Sequence, residues 1–130
     1  MILLDTHVVI WLAFQPDAIS KKAKAAIDDA RRTGQGLAIS DITLLELAVL
    51  ARKGRIHLNI SLESFLQEVE SRFVVLPMTG RACARAVELP ASYPKDPADR
   101  MIGATALVEG LSLLTADRNI RRSKIVRTIW

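Results

Sequence analysis

The 130-residue chain has one cysteine, two histidines and few aromatic side chains, 5% in all. Each scarcity excludes something. Cys83 has no partner for an intrachain disulfide, which fits a reducing compartment and leaves it as a small buried hydrophobe. Without a His/Cys cluster zinc is disfavoured. The aromatics are not interleaved with the basic residues, so stacking on single-stranded bases is not suggested. No apolar run approaches the ~18–20 residues that span a bilayer. The N-terminus lacks the basic region and cleavage site of a secretory signal, so a cytoplasmic protein without a membrane partner is expected. Neither GxxxxGK[ST], GxGxxG nor GxSxG occurs, which argues against P-loop, dinucleotide and serine-hydrolase chemistry. Two residues after Asp5 stands His7, where an aspartyl-phosphate phosphatase would carry a second aspartate. His7 and His57 read as structural or surface residues.

What is present suits a folded α/β protein. Half of the residues are apolar, enough to bury a core in one domain over 1–130. There are no repeats or low-complexity segments. Compact apolar runs at 1–4, 37–39, 73–77 and 112–115 read as strands, with a last one over 125–129. Between them lie helical patterns: 7–14, 20–32, 42–53, one capped by Ser61 to about 72, 80–88 behind Thr79, and one opening at Pro97 and closed by Gly110. Strands alternating with helices predict an α/β layer sandwich with a mostly parallel sheet. The helix over 7–14 is apolar on nearly every side. It is either a core helix or a face for a partner or a second copy.

The acidic residues are placed unevenly. Asp5 follows the first strand and Asp117 the fourth, at the strand ends where open parallel sheets form sites. Asp99 lies in the first turn of the helix that Asp96 and Pro97 open. Glu46 has Ile42, Thr43, Val49 and Leu50 as helical neighbours, an apolar setting for a charge. If the sheet is doubly wound, all four can meet at its C-terminal edge, and four carboxylates so close need a compensating cation. A hard divalent ion, Mg²⁺ or alternatively Mn²⁺, prefers oxygen ligands and supports phosphodiester hydrolysis. Thr6, Ser40 and Thr115 stand beside the acids and could orient them or a water.

The remaining surface is basic: the chain carries +4, with eighteen Lys and Arg against fourteen Asp and Glu. A run after Asp117 supplies Arg118, Arg121, Arg122 and Lys124, candidates for holding a phosphate backbone. A second cluster is Arg52-Lys53-Gly54-Arg55. The acidic quartet favours a nuclease. A nucleic-acid-binding regulatory subunit with little cleavage is the alternative, and it would not need the quartet.

The motifs MILLDTHVVIW, SDITLLEL, DPADRMIGATAL and LLTADRNI, in this order, resemble those of PIN-domain ribonucleases, and among them the VapC-type toxins of bacterial type II toxin–antitoxin systems. The resemblance covers essentially the whole chain. It implies a three-layer α/β/α fold with Asp5 and Asp99 as principal metal ligands. Glu46 and Asp117 would complete the pocket directly or through water, with Asp96 an auxiliary acid or cap and Thr6 a supporting residue. It further implies a homodimer that cleaves structured RNA, transfer or ribosomal, to inhibit translation. A cognate VapB-type antitoxin would block the pocket, and operator DNA would be reached only through that complex.

Overall fold

A computed structural model describes residues 1–130. Its centre is a sheet of five short strands: β1 (Ile2–Leu4), β2 (Leu37–Ser40), β3 (Val74–Leu76), β4 (Leu113–Leu114) and β5 (Thr128–Ile129). Their order is β3-β2-β1-β4-β5, and every pairing is parallel. The sheet was expected to be mostly parallel and is entirely so. The chain runs outward from β1 through β2 to β3, then returns to the other side of β1 with β4. That reversal makes the β1/β4 boundary a topological switch point, where a crevice opens outside the carboxyl ends of the strands.

Seven helices cover the sheet: α1 (Thr6–Phe14), α2 (Lys21–Arg32), α3 (Asp41–Arg52), α4 (Leu62–Arg72), α5 (Gly80–Glu88), α6 (Pro97–Glu109) and α7 (Arg118–Ser123). Alternation along the strands divides the core in two. Leu4, Leu37, Ile39 and Leu114 pack with Val8, Ile27, Leu47, Phe65 and Val69 on one face. Leu3, Ala38 and Leu113 point the other way, onto Tyr93, Ile102, Ala106 and Ile120. The result is the expected α/β/α arrangement.

Local chemistry sets most helix ends. Ser20, Ser40, Ser61 and Thr79 each accept a backbone N–H in the first turn of the helix they precede, satisfying donors that lack intrahelical partners. Pro97 takes the first turn of α6 behind Asp96, and Gly110 ends that helix at φ 66°, a left-handed conformation that costs glycine little. Cys83 is half-buried beside Ala82, Ala86, Met101 and Ala104, somewhat more open than expected.

Helix α7 was not read from the sequence. It is six residues long, capped by Asp117 and anchored by Ile120, and Lys124 closes it at φ 57°. Helix α1 belongs to the core on one side and leaves part of its apolar surface open on the other. Val8 and Val9 are buried, while Leu12, Ala13 and Phe14 line a groove of about 440 Å³ shared with Phe65, Phe73 and the exposed His57.

Candidate active site

Asp5 directly follows β1 and precedes α1, and both of its carboxylate oxygens are engaged. Oδ1 accepts the Thr6 N–H at 2.9 Å, and Oδ2 accepts the Thr115 hydroxyl at 2.8 Å. Asp5 is 3% exposed, so these bonds matter: a buried carboxylate without donors is costly. Thr115 lies just past β4 and also accepts the Asp117 N–H at 3.1 Å. One hydroxyl therefore ties the ends of the two strands that flank the switch point.

Asp117 is the cap of α7, its Oδ1 accepting the N–H groups of Asn119 and Ile120 at 2.8 and 3.0 Å. Asp96 caps α6 through the Asp99 N–H at 3.0 Å. Glu46 comes from α3 and accepts the Thr6 hydroxyl at 2.5 Å. Because Thr6 gives its one proton to Glu46, the Thr43 hydroxyl 2.9 Å away donates to Thr6 in turn. Thr43 is fully buried, whereas Val49 on the same helix is 42% exposed. Glu46 is thus held at a rim by hydroxyls rather than sunk in an apolar face. Ser40 is buried, but its hydroxyl accepts the Ile42 N–H and caps α3. It makes no hydrogen bond to any of the four acids.

The electrostatics show which acids share a field. Burial raises the Asp99 carboxyl to about 7, helped by Asp5, Asp96, Asp117 and Glu46. Glu46 is also raised, first by burial and then by Asp5 and Asp96, against the lowering effect of its Thr6 hydrogen bond. None of these carboxylates is paired with Lys or Arg; the nearest titratable base is His7, whose Nδ1 lies 3.6 Å from Asp5 Oδ2. The Nε2 of His7 accepts the Ala116 N–H at 3.0 Å, and its ring meets Trp11 edge-on. It is a structural clamp between α1 and the loop after β4.

Asp5, Glu46, Asp99 and Asp117 thus converge at one strand edge. No three acidic, histidine or cysteine side chains close tightly enough to cage an ion unaided. An all-oxygen donor set with excess negative charge fits a hard divalent cation.

The basic candidates Arg118, Arg121, Arg122 and Lys124 are all exposed on or beside α7, and none forms an ion pair. Three residues around the site were not singled out from the sequence. Tyr93 is 1% exposed, and its hydroxyl donates to the Asp99 carbonyl at 3.2 Å. Gly103 faces it: a Cβ there would stand 2.2 Å from the Tyr93 oxygen. The Arg100 guanidinium donates to the carbonyls of Ala86 (3.2 Å), Leu89 (2.8 Å), Pro90 (3.3 Å) and Tyr93 (3.5 Å). A glycine inside a helix costs about 1 kcal/mol against alanine and so hints at a close approach. Arg100 and Tyr93 carry no such local signal.

Carboxylates gathered at the switch point of an all-parallel sheet are the kind of site that suits metal-dependent phosphate chemistry. Comparison with known proteins gives the family: residues 2–125 match the PIN domain, and the chain belongs to the PIN-domain family. It is 40% identical over 131 residues to Ribonuclease VapC22 of Mycobacterium tuberculosis, across 99% of this chain and 98% of that one. Among solved structures it is similar to a DNA-bound VapBC from Salmonella typhimurium, with a TM-score of 0.69 and 26% identity over 98% and 97% of the chains. A VapBC2 from Rickettsia felis, bound to a promoter fragment, shares the fold at a TM-score of 0.74 with 18% identity, over 98% and 97% of the chains.

Proposed function

We propose that this chain is a metal-dependent endoribonuclease, the VapC-type toxin of a type II toxin–antitoxin module. Four carboxylates gathered at the switch point, with no Lys or Arg among them, carry the reading. Its similarity to Ribonuclease VapC22 along nearly the whole length supports it.

In this reading Asp5, Glu46, Asp99 and Asp117 hold Mg²⁺, with Mn²⁺ a possible substitute. The ion supplies charge to neutralise the scissile phosphate and acidity to activate water. Thr115 and the Thr6 N–H fix both oxygens of Asp5, so that its carboxylate is presented without rearrangement. The Thr6 hydroxyl does the same for Glu46. Preorganised charge of this kind costs no reorganisation at the moment of reaction. Asp96 and Ser40 act as helix caps, and Asp96 adds negative charge around Asp99.

The substrate is structured RNA, transfer or ribosomal, and its cleavage stops translation in the cytoplasm. Exposed Arg118, Arg121, Arg122 and Lys124 contribute to its capture. The working form is a homodimer over one domain, 1–130. A VapB-type antitoxin covers the apolar groove beside α1, and operator DNA is met only through that complex. No helix is long and apolar enough to cross a membrane.

The deciding experiment is cleavage of total bacterial RNA by purified protein with Mg²⁺, with Mn²⁺ and with chelator, using Asp5→Asn as control. Discrete fragments that require both the metal and Asp5 are expected. Intact RNA under every condition would favour a regulatory, DNA-bound role instead.

A further inference from the structure

RNA approaching the acidic centre meets a difficulty. One phosphate is reconciled with the carboxylates by a cation, but its neighbours along the strand are repelled. Something close by must hold them.

Beside the centre lies a cavity of about 360 Å³, walled by Tyr93, Pro94 and Lys95 on one side and Asn119, Arg122 and Ser123 on the other. Its two walls are extensions of the acidic site itself. Tyr93 donates its hydroxyl to the Asp99 carbonyl, and Lys95 directly precedes Asp96. Asn119 gives its backbone N–H to Asp117. Lys95 and Arg122 thus reach the cavity from separate elements, the α5–α6 loop and α7, and neither is engaged in an ion pair. Both are exposed cations lining one cavity at the edge of an anionic centre, free to pair with an incoming anion. Arginine presents a fork suited to phosphate oxygens, and lysine a mobile point charge.

We infer that this cavity is a phosphate subsite, in which Lys95 and Arg122 jointly hold an RNA phosphate adjacent to the one at the acidic centre. The inference rests on the ribonuclease reading for the identity of the anion. It adds Lys95, absent from the basic run of α7, and separates Arg122 from Arg118, Arg121 and Lys124, which hold the backbone only diffusely.

The test measures binding of labelled bulk bacterial transfer RNA by an Asp5→Asn chain in Mg²⁺, across a range of salt. Into that background are placed Lys95→Ala with Arg122→Ala, or a charge-matched control, Lys21→Ala with Lys24→Ala, on the distant α2. The cavity pair is expected to weaken binding about tenfold and to lower the log–log salt slope by roughly 0.7–0.9, the value for the one phosphate the pair shares. The control pair should stay within about twofold of the parent on the same electrostatic argument. Lys95→Arg with Arg122→Lys should restore most of the affinity, because charge rather than packing is at stake. Equal losses from both pairs, or no loss from the cavity pair, would overturn the subsite.

Cleavage by the chain with Asp5 intact is scored separately. No cleavage together with a selective binding defect would sink the nuclease and leave the subsite standing. Normal cleavage with no selective defect would do the reverse. A chain that binds no RNA would overturn both.

Discussion

Around Arg100, polar groups are matched closely: one guanidinium serves four carbonyls, and the Tyr93 hydroxyl has its own acceptor over a glycine that leaves it room. At the acidic centre, reached from the same turn of α6, carboxylates crowd one another and push Asp99 up to about 7. The corner is arranged for stability and the centre against it. The Tyr93 hydroxyl bonded to the Asp99 carbonyl ties the two regions together. Substitutions in the two regions should accordingly differ in sign.

The largest effect is expected from Gly103→Ala. Its new Cβ would collide with the fully buried Tyr93, and overpacking that cannot relax costs about 3 kcal/mol. Urea unfolding should show the midpoint falling sharply; an unchanged midpoint would mean the corner is loosely packed. Arg100→Ala should follow at about 2 kcal/mol, because several partly buried carbonyls lose their donor. Arg100→Lys should recover only part of this, lacking the planar fork.

Asp99→Asn should act in the opposite direction. The folded chain holds the Asp99 proton more tightly than the unfolded chain does, since 3.8 is raised to about 7. Metal-free protein should therefore lose stability as pH rises from about 4 to 7, with the loss complete above that window. Asp99→Asn removes the charge, so its melting temperature at pH 8 should lie a few degrees, roughly 3 °C, above the parent's, and its pH dependence should flatten. Cleavage should be lost in the same variant. Thermal scans without metal decide the matter, and a lower melting temperature for Asp99→Asn would remove the contrast between the regions. Adding Mg²⁺ at pH 8 should raise the parent's melting temperature and leave Asp99→Asn nearly unmoved. Asp5→Asn should gain less than Asp99→Asn, because both Asp5 oxygens already serve as acceptors and an amide can replace only one.

Within the corner, the smallest effect is expected for Tyr93→Phe. It keeps the ring and loses one hydrogen bond, worth about 1 kcal/mol, measurable by the same urea titration. A loss as large as that of Gly103→Ala would make the hydroxyl, rather than the fit of the ring, the keystone of the corner.

Much of this architecture is written in short stretches of chain. Asp96-Pro97 before an apolar period, and Gly110 after it, specify a helix whatever surrounds them, because unpaired terminal N–H groups and the left-handed C-cap are local problems. Apolar runs ending in Asp5 and Asp117 place carboxylates at strand ends for the same reason. Helix α7 escaped notice because six residues with one buried anchor, Ile120, carry too little periodicity to stand out. Glu46 was marked by its apolar neighbours, yet its setting proved to be hydroxyls from Thr6 and, behind it, Thr43. Ser40 was near the acids in sequence and turned to a cap in space.

The meeting of Asp5 with Thr115, 110 residues away, depends on β4 returning beside β1, and no local pattern encodes strand order. The same return sets Lys95 across from Arg122. Residue types and element ends follow from interactions within a few positions and can be read along the chain. Which side chains share a field, a cavity or a proton follows from long-range packing, where many weak contacts together select one arrangement of the elements.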